Sequence, residues 1–266
     1  MIKISHEVPL CILEESRKFN DYDYALVHLF EENKEYYNFY IESLKQGRHV
    51  LLDNSLFELG KAFEEEKFAY WVKKLEPTEY IIPDSWENAE ETIKNLRSWV
   101  SNYDKLPGKK IGVVHGKTYE ELVKCYKEVD VYCDKIAISF GYSYYTKTFP
   151  HTNKFVSLAL GRVKLLGDLL KDNIININKP HHLLGNALPI EGKFYNKYNW
   201  IQTMDSSNPV VHAIKGKKYE INLGLYTKEL QKLHELINFP LEKIDFELVK
   251  YNINEFQKYW KKDSFN

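Results

Sequence analysis

The sequence predicts an α/β protein that folds as a single (β/α)8 TIM-like barrel. Its 266 residues agree with the roughly 250 residues that are typical of such barrels. Short apolar segments alternate with longer segments of helical periodicity, as in a parallel sheet covered by helices. Polar residues also end one predicted strand after another, and barrel enzymes build their sites at the carboxyl ends of their strands. We therefore expect one domain over residues 1–266.

Seven segments are short, apolar and bounded by polar or turn residues, which is typical of buried strands. In chain order they are YALVHLF (24–30), HVLLDN (49–54), YIIPD (80–84), KIGVVHG (110–116), KIAIS (135–139), HHLLG (181–185) and WIQTMD (200–205). For the eighth strand the sequence offers KKYEIN (217–222), which follows the last of these segments.

Crossover helices are predicted where apolar residues recur at spacings of three and four. Such segments include FEEEKFAYWVKKL (63–75), NAEETIKNLRSWV (88–100) and TYEELVKCYKEV (118–129), and a C-terminal helical region is expected at about 228–262. A doubly wound sheet would give the same order of elements. The barrel is favoured because no GxGxxG or GxxxxGK[ST] loop follows an early strand.

The composition is that of an ordinary soluble globular protein, with 44% hydrophobic and 28% charged residues. No apolar run approaches the roughly 18 residues that span a bilayer, and the first residues lack the apolar core of a signal peptide. We expect a cytoplasmic location, in the host cytoplasm if the protein is viral, and no membrane partner. Cys11, Cys125 and Cys133 show no CxxC spacing, so neither a zinc site nor a disulfide framework is predicted. No metal and no cofactor are expected.

Any binding of nucleic acid would depend on local basic patches, because the net charge is only −1. One candidate patch is Lys215, Lys217 and Lys218 in IKGKK. A second comprises the lysines of the C-terminal tail. Solvated helix faces also account for such clusters.

Three carboxylates and a histidine follow the predicted strands at their carboxyl ends: Asp53, Asp84, Asp205 and His115. In a barrel these side chains would converge, and carboxylates that lie close together raise one another's pKa. Such a pair suits chemistry at an anomeric carbon, where one carboxylate attacks and the other handles the proton. Each aspartate by itself could equally be a helix N-cap. His181 and His182 begin a predicted strand and are interpreted as structural.

Taken in order from about residue 49 to 225, the motifs resemble the tRNA-guanine transglycosylase superfamily. LLDNSLFELG resembles the family's DSGGFQ segment, and YIIPD the segment whose aspartate reads the guanine edge. IGVVHG is similar to GIVQGG, KIAISFG to AIGGL, and HHLLGNALP to LMGVGKP. QTMDSSNP resembles the strand that carries the family's nucleophilic aspartate.

The resemblance implies a role for each matched residue. Asp205 would be the nucleophile, and Asp53 the general acid and base. Substrate binding would fall to residues at the ends of five strands, namely Asn54, Phe57, Asp84, His115, Gly116, Ser139 and Gly185. Apart from the resemblance, Lys215, Lys217 and Lys218 follow Asp205 closely in the sequence and could hold phosphates. The chain departs from the family at Ser55 and Leu56, which replace two glycines, at His115, which replaces a glutamine, and at Ser139 and Phe140.

The zinc-binding C-terminal subdomain of the cellular tRNA enzymes has no counterpart in this sequence. In this respect the chain is most similar to the compact viral DNA-guanine transglycosylases, the DpdA family, which place 7-deazaguanines such as 7-cyano-7-deazaguanine in phage DNA. The resemblance implies two partners, DNA with a flipped or single-stranded guanine nucleotide and a free 7-deazaguanine base. It leaves the oligomeric state open.

Three alternatives stay open at this point. The chain could be a related enzyme that acts on tRNA or another RNA. It could be a metal-dependent barrel hydrolase or isomerase, with a divalent cation held by the strand-end carboxylates and His115. It could also be a barrel that binds nucleic acid without catalysis.

Overall fold

The computed structural model describes residues 1–220 and 226–261. Its eight parallel strands and the helices between them give the predicted (β/α)8 TIM-like fold, and the strand order in the sheet is β1-β8-β7-β6-β5-β4-β3-β2. The strands are β1 Lys3–Ser5, β2 Asp23–Leu26, β3 Val50–Asp53, β4 Glu79–Ile81, β5 Lys109–Val113, β6 Lys135–Ser139, β7 His181–Leu184 and β8 Ile201–Asp205.

Helices connect the strands. The described helices are α1 Leu13–Ser16, α2 His28–Glu32, α3 Lys34–Lys45, α4 Leu56–Leu59, α5 Glu65–Leu75, α6 Ala89–Tyr103, α7 Tyr119–Tyr132, α8 Ser143–Thr148, α9 Lys154–Lys171, α10 Gly192–Tyr195, α11 Asn208–Ile214 and α12 Phe246–Trp260. Short 3-10 turns lie at Leu10–Ile12, Pro189–Glu191, Leu233–Leu236 and Leu241–Lys243. Within the described residues no helix is long and apolar enough to cross a membrane.

The predicted strands are confirmed at seven positions, with changes of boundary. The strand predicted to end at residue 84 ends at Ile81, and the one predicted to end at residue 116 ends at Val113. The segment predicted over 24–30 leaves the sheet after Leu26, and α2 begins at His28. Val27, whose N–H still donates to Asp53 O, already has helical φ and ψ angles. The apolar residues after Val27 therefore belong to a short buried helix.

The prediction of KKYEIN as the eighth strand is wrong for residues 217–220, and residues 221–222 lie outside the described part. The backbone here pairs with a side chain of α12. Tyr219 N–H donates to Asn252 Oδ1 at 2.8 Å, and Asn252 Nδ2 donates to Lys217 O at 2.9 Å. The eighth strand is instead β1, which pairs with β8 and places Ser5 beside Asp205.

Local capping explains where the predicted helices begin. The side chains of Asn88, Thr118 and Asp245 accept hydrogen bonds from N–H groups of the first turns of α6, α7 and α12. These polar residues satisfy donors that the helix itself leaves unpaired. In the expected helical region at 228–262, two 3-10 turns precede α12, and residue 262 lies outside the described part.

Backbone contacts divide the chain into two compact units. One unit comprises Tyr22–Ile138 and Asn178–His181, and aromatic rings such as Phe68 and Trp99, 5.5 Å apart, fill its core. The other unit comprises Met1–Asp21, Ser139–Ile177 and His182–Asn266. In its core Phe256 stacks on Trp260 with ring centroids 5.9 Å apart. A single domain stays a prediction.

Candidate active site

Asp53 ends β3 with both of its carboxylate oxygens occupied. The Ser55 N–H donates to Oδ1 and the Tyr24 hydroxyl donates to Oδ2. Burial raises the pKa of Asp53 well above its usual range, the charge of Glu58 raises it further, and the two hydrogen bonds oppose the rise. A carboxyl with a raised pKa keeps its proton to higher pH than a free aspartate does, and it can pass that proton to a base.

The chain leaves β3 through a tight turn at Asn54 and Ser55. Asn54 Oδ1 accepts the Leu56 N–H at 3.0 Å, and Ser55 adopts a left-handed conformation with φ of 63°. That conformation favours glycine. Glycine is also what the tRNA-guanine transglycosylases, whose segment this one resembles, have there. Here Ser55 Oγ lies 2.8 Å from His28 Nδ1, a contact that glycine could not make.

Asp84 lies three residues beyond β4 and is held on both oxygens. Asn54 Nδ2 donates to Oδ1 at 2.8 Å, and His115 Nε2 lies 2.6 Å from Oδ2. The Glu87 N–H donates to His115 Nδ1 at 3.2 Å. Because Nδ1 accepts, the ring proton must be on Nε2, and His115 donates it to Asp84. The structure thus brings together Asn54, Asp84 and His115.

Aromatic side chains extend from this cluster. The Trp86 ring lies 5.8 Å from that of His115, and Phe57 lies 6.2 Å from Trp86 between ring centroids. Phe57 is 44% exposed. The rings of Trp86 and Phe57 offer an exposed stacking surface beside the buried pair Asp84 and His115.

Gly116, a further predicted site residue, packs against the start of α7. A Cβ at this position would lie 2.8 Å from Leu122 N.

Asp205 ends β8 and differs from the other two aspartates. Its Oδ1 lies 3.1 Å from His182 Nε2 and accepts the Gly185 N–H at 3.1 Å. Within the described residues its Oδ2 accepts no hydrogen bond. One oxygen is therefore fixed by two neighbours, and the other accepts no hydrogen bond within residues 1–220 and 226–261. The interpretation of His182 as structural missed this contact.

Gly185 is held in a conformation that only glycine adopts readily. Its φ is +61°, and a Cβ at this position would lie 2.4 Å from Cδ1 of Phe140. Behind it, Arg162 donates to Leu184 O and Gly185 O and pairs with Glu191 at 2.8 Å. Both ion-pair partners are fully buried. This network fixes the loop whose N–H meets Asp205.

Lys228 lies near the same loop. Its Nζ donates to Asn186 O at 2.7 Å and lies 4.7 Å from the centre of the Phe140 ring. Burial lowers the pKa of Lys228 to about 8, although Glu7 and Asp205 act in the opposite direction. No sequence motif distinguished this lysine from the others. Tyr24 was missed for the same reason, because it lies among apolar strand residues.

The remaining predicted residues lie at several places in the fold. The Ser139 N–H faces the Tyr142 hydroxyl at 3.4 Å, and Ser139 O accepts from Tyr145 at 2.8 Å. Lys215, Lys217 and Lys218 are exposed after α11. Lys217 pairs with Glu229 at 2.5 Å, and Lys218 lies 3.8 Å from Glu220. Two of the three lysines therefore already have acidic partners.

No group of three or more His, Cys, Asp and Glu side chains in residues 1–220 and 226–261 is arranged to hold a metal ion. Neither the protein-family models nor the curated proteins contain a match to the chain.

Proposed function

We propose that this protein is a guanine transglycosylase that exchanges guanine in DNA for a 7-deazaguanine through a covalent glycosyl-aspartate. The observation that supports it best is which carboxylate oxygens of the three aspartates already accept hydrogen bonds. Both oxygens of Asp53 and Asp84 accept hydrogen bonds. Asp205 keeps one oxygen without a hydrogen-bond donor among the described residues. A nucleophilic carboxylate needs such an oxygen.

In the first half of the reaction, Asp205 Oδ2 attacks C1′ of the target nucleotide. The bond from C1′ to N9 breaks, and its electron pair leaves with guanine. Asp53, whose pKa burial raises, supplies the proton that makes the departing guanine neutral. The sugar is then joined to Asp205 as an ester.

In the second half, the incoming 7-deazaguanine gives its N9 proton to Asp53 and attacks C1′ through N9. The ester bond breaks and Asp205 recovers its carboxylate. Two displacements at one carbon retain its configuration, as in retaining glycosidases.

Recognition of the base is assigned to Asp84. A carboxylate accepts from N1–H and the exocyclic amine of guanine, and each oxygen keeps a second lone pair after the bonds to Asn54 and His115. Since both ring nitrogens of His115 are engaged, we give His115 the role of orienting Asp84 rather than of contacting O6. Phe57 and Trp86 would stack on bases.

DNA is proposed as the polymer because of the resemblance to the compact viral enzymes. A base within a duplex cannot present C1′ to a strand-end carboxylate, so the nucleotide must be flipped or single-stranded. The corresponding reaction on RNA is the alternative.

The test offers labelled guanine or 7-deazaguanine to the protein together with either DNA or tRNA. We expect label in DNA with the wild type and with the control Asp104→Asn, which changes an exposed aspartate paired with Lys110. Asp205→Asn should incorporate none. Label in tRNA alone would move the substrate to RNA, and label in neither polymer would contradict the proposal.

A further inference from the structure

His182 on β7 lies between two residues of β8. Its Nε2 is 3.1 Å from Asp205 Oδ1, and its Nδ1 is 2.9 Å from Thr203 Oγ1. Thr203 and Asp205 are two residues apart, so their side chains lie on the same face of the strand. The histidine is fully buried. Its ring therefore has both nitrogens next to polar groups on one strand.

These neighbours select one tautomer of the ring. A carboxylate oxygen can only accept, so His182 Nε2 must carry the hydrogen. Nδ1 is then an acceptor, and the Thr203 hydroxyl is the group that can donate to it. The opposite tautomer would place a nitrogen lone pair against the carboxylate of Asp205.

We propose that His182 is a positioning residue for Asp205, and that Thr203 holds the His182 ring in place. This inference rests on the proposed function and deepens it. With Oδ1 fixed by His182 and by the Gly185 N–H, the lone pairs of Oδ2 keep one direction. Attack at C1′ needs this alignment, because small displacements of a reacting group are costly in rate.

The charge state of His182 enters through the same contact. A protonated ring would keep its Nε2–H but would bring a positive charge to Asp205, which weakens the carboxylate as a nucleophile. Lys228 and His6 also interact electrostatically with Asp205. Among the described residues, the titratable groups linked electrostatically to Asp205 or to Lys228 beside it include His6, Glu7, Arg162 and Glu191.

The first experiment is independent of activity. Long-range ¹⁵N–¹H NMR of the ¹⁵N-histidine protein distinguishes the two neutral tautomers, and His182→Gln identifies the signal. We expect the Nε2–H form for His182 in the resting protein. An Nδ1–H form would overturn the inference whether or not the protein is active.

The second experiment measures the single-turnover rate at which DNA becomes covalently bound. His182→Leu should lower this rate roughly 10²-fold and lower kcat without raising KM. His182→Gln keeps a side-chain N–H donor and should recover part of the loss. The matched control is His181→Leu, which removes a buried histidine that contacts Tyr126 and should leave kcat near the wild-type value.

The same variants separate positioning from a merely structural role. Equal losses of kcat in His182→Leu and His181→Leu, or no recovery of the rate in His182→Gln, would overturn the inference. If the wild type itself forms no covalent complex, the proposed function fails, a result distinct from failure of the variants alone.

Discussion

At the scale of single residues, the chemistry depends on which carboxylate oxygens are occupied. Asp53 and Asp205 are the same residue type and both end a strand, yet their surroundings differ. Asp53 is buried with two donors and a raised pKa. Asp205 has two neighbours on one oxygen and none among the described residues on the other. The difference suits one residue to carry a proton and the other to attack.

Replacement of Asp53 tests whether this burial has a cost in stability. A carboxyl whose pKa is higher in the folded than in the unfolded chain makes the protein less stable as pH rises from the usual range of aspartate through the raised value. The pKa of Asp53 is raised well above 3.8. At pH 8 Asp53→Asn should therefore increase the free energy of unfolding and raise Tm relative to the wild type.

Thermal unfolding of the wild type and of Asp53→Asn at pH 4 and pH 8 checks this expectation. Base exchange should be lost in the variant. The gain should shrink at pH 4, where the wild-type carboxyl is protonated when folded. An equal gain at both values, or none at pH 8, would contradict the assignment.

Gly185 provides a second test at this scale. In Gly185→Ala the left-handed φ and the approach of Phe140 would force the loop to shift and carry its N–H away from Asp205. We expect a loss of about 1–3 kcal/mol in stability and of roughly 10²-fold in the exchange rate.

The control for this change is Gly167→Ala in α9. A Cβ there meets nothing within 4 Å, so alanine should stabilise the helix by about 0.5–1 kcal/mol. Urea unfolding and exchange assays of both variants give the comparison. Full activity in Gly185→Ala would argue against a role for the loop N–H.

At the scale of elements, the sequence was sufficient where strands are long and apolar. The segment KIAIS and the ends of β3 and β8 were located because a buried strand has a clear apolar pattern. β1 was missed because three residues, Lys3–Ser5, are too few to show an alternation. Residues 217–220 show a strand-like pattern, but Asn252 takes their hydrogen bonds, and no local pattern indicates such a long-range partner.

The same limit applies to the candidate site. Strand-end positions predicted Asp53, Asp84, His115 and Asp205, because parallel strands place their carboxyl ends at one edge. His182 begins its strand, and its contact with Asp205 depends on the register of β7 and β8. Sequence alone does not give that register.

The start of β4 carries an ion-pair cluster that should make stability depend on pH. Glu79 lies 2.5 Å from Lys135 Nζ and 3.1 Å from His49 Nε2. Burial raises the pKa of Glu79, but the bonds to His49 and Lys135 outweigh it and lower the pKa from 4.5 to about 2. The resulting stability is present above pH 4.5 and is lost as pH falls toward 2, in total on the order of 3 kcal/mol.

Denaturant unfolding between pH 6 and pH 2.5 measures this loss. In Glu79→Gln the dependence over that range should be weaker, and the variant should already be less stable at pH 6 because buried Lys135 loses its ion pair with Glu79. The same slope in both proteins would show that other groups cause the acid sensitivity.

At the scale of the whole molecule, the net charge of −1 gives little general attraction for a polyanion. Lys217 and Lys218 have acidic partners, whereas Lys215 has no ion pair with a described residue. A phosphate would therefore compete with a glutamate for Lys217 and for Lys218, but not for Lys215.

The salt dependence of DNA binding tests this comparison. For single-stranded DNA each lost phosphate contact lowers the slope of log K against log salt by about 0.7. Lys215→Gln should show that reduction. Lys94→Gln, an exposed lysine of α6 paired with Glu91, serves as the control. An unchanged slope in Lys215→Gln would remove this lysine from the interface.

Detection of the covalent intermediate tests directly whether Asp205 is the nucleophile. Protein and DNA containing guanine would be mixed without an incoming base, quenched in acid, digested with pepsin and examined by mass spectrometry. We predict a sugar-linked DNA adduct on the peptide that contains Asp205, and none in Asp205→Asn. Base exchange without any such adduct, or with the adduct on Asp53 or Asp84, would contradict the assignment of Asp205 as the nucleophile.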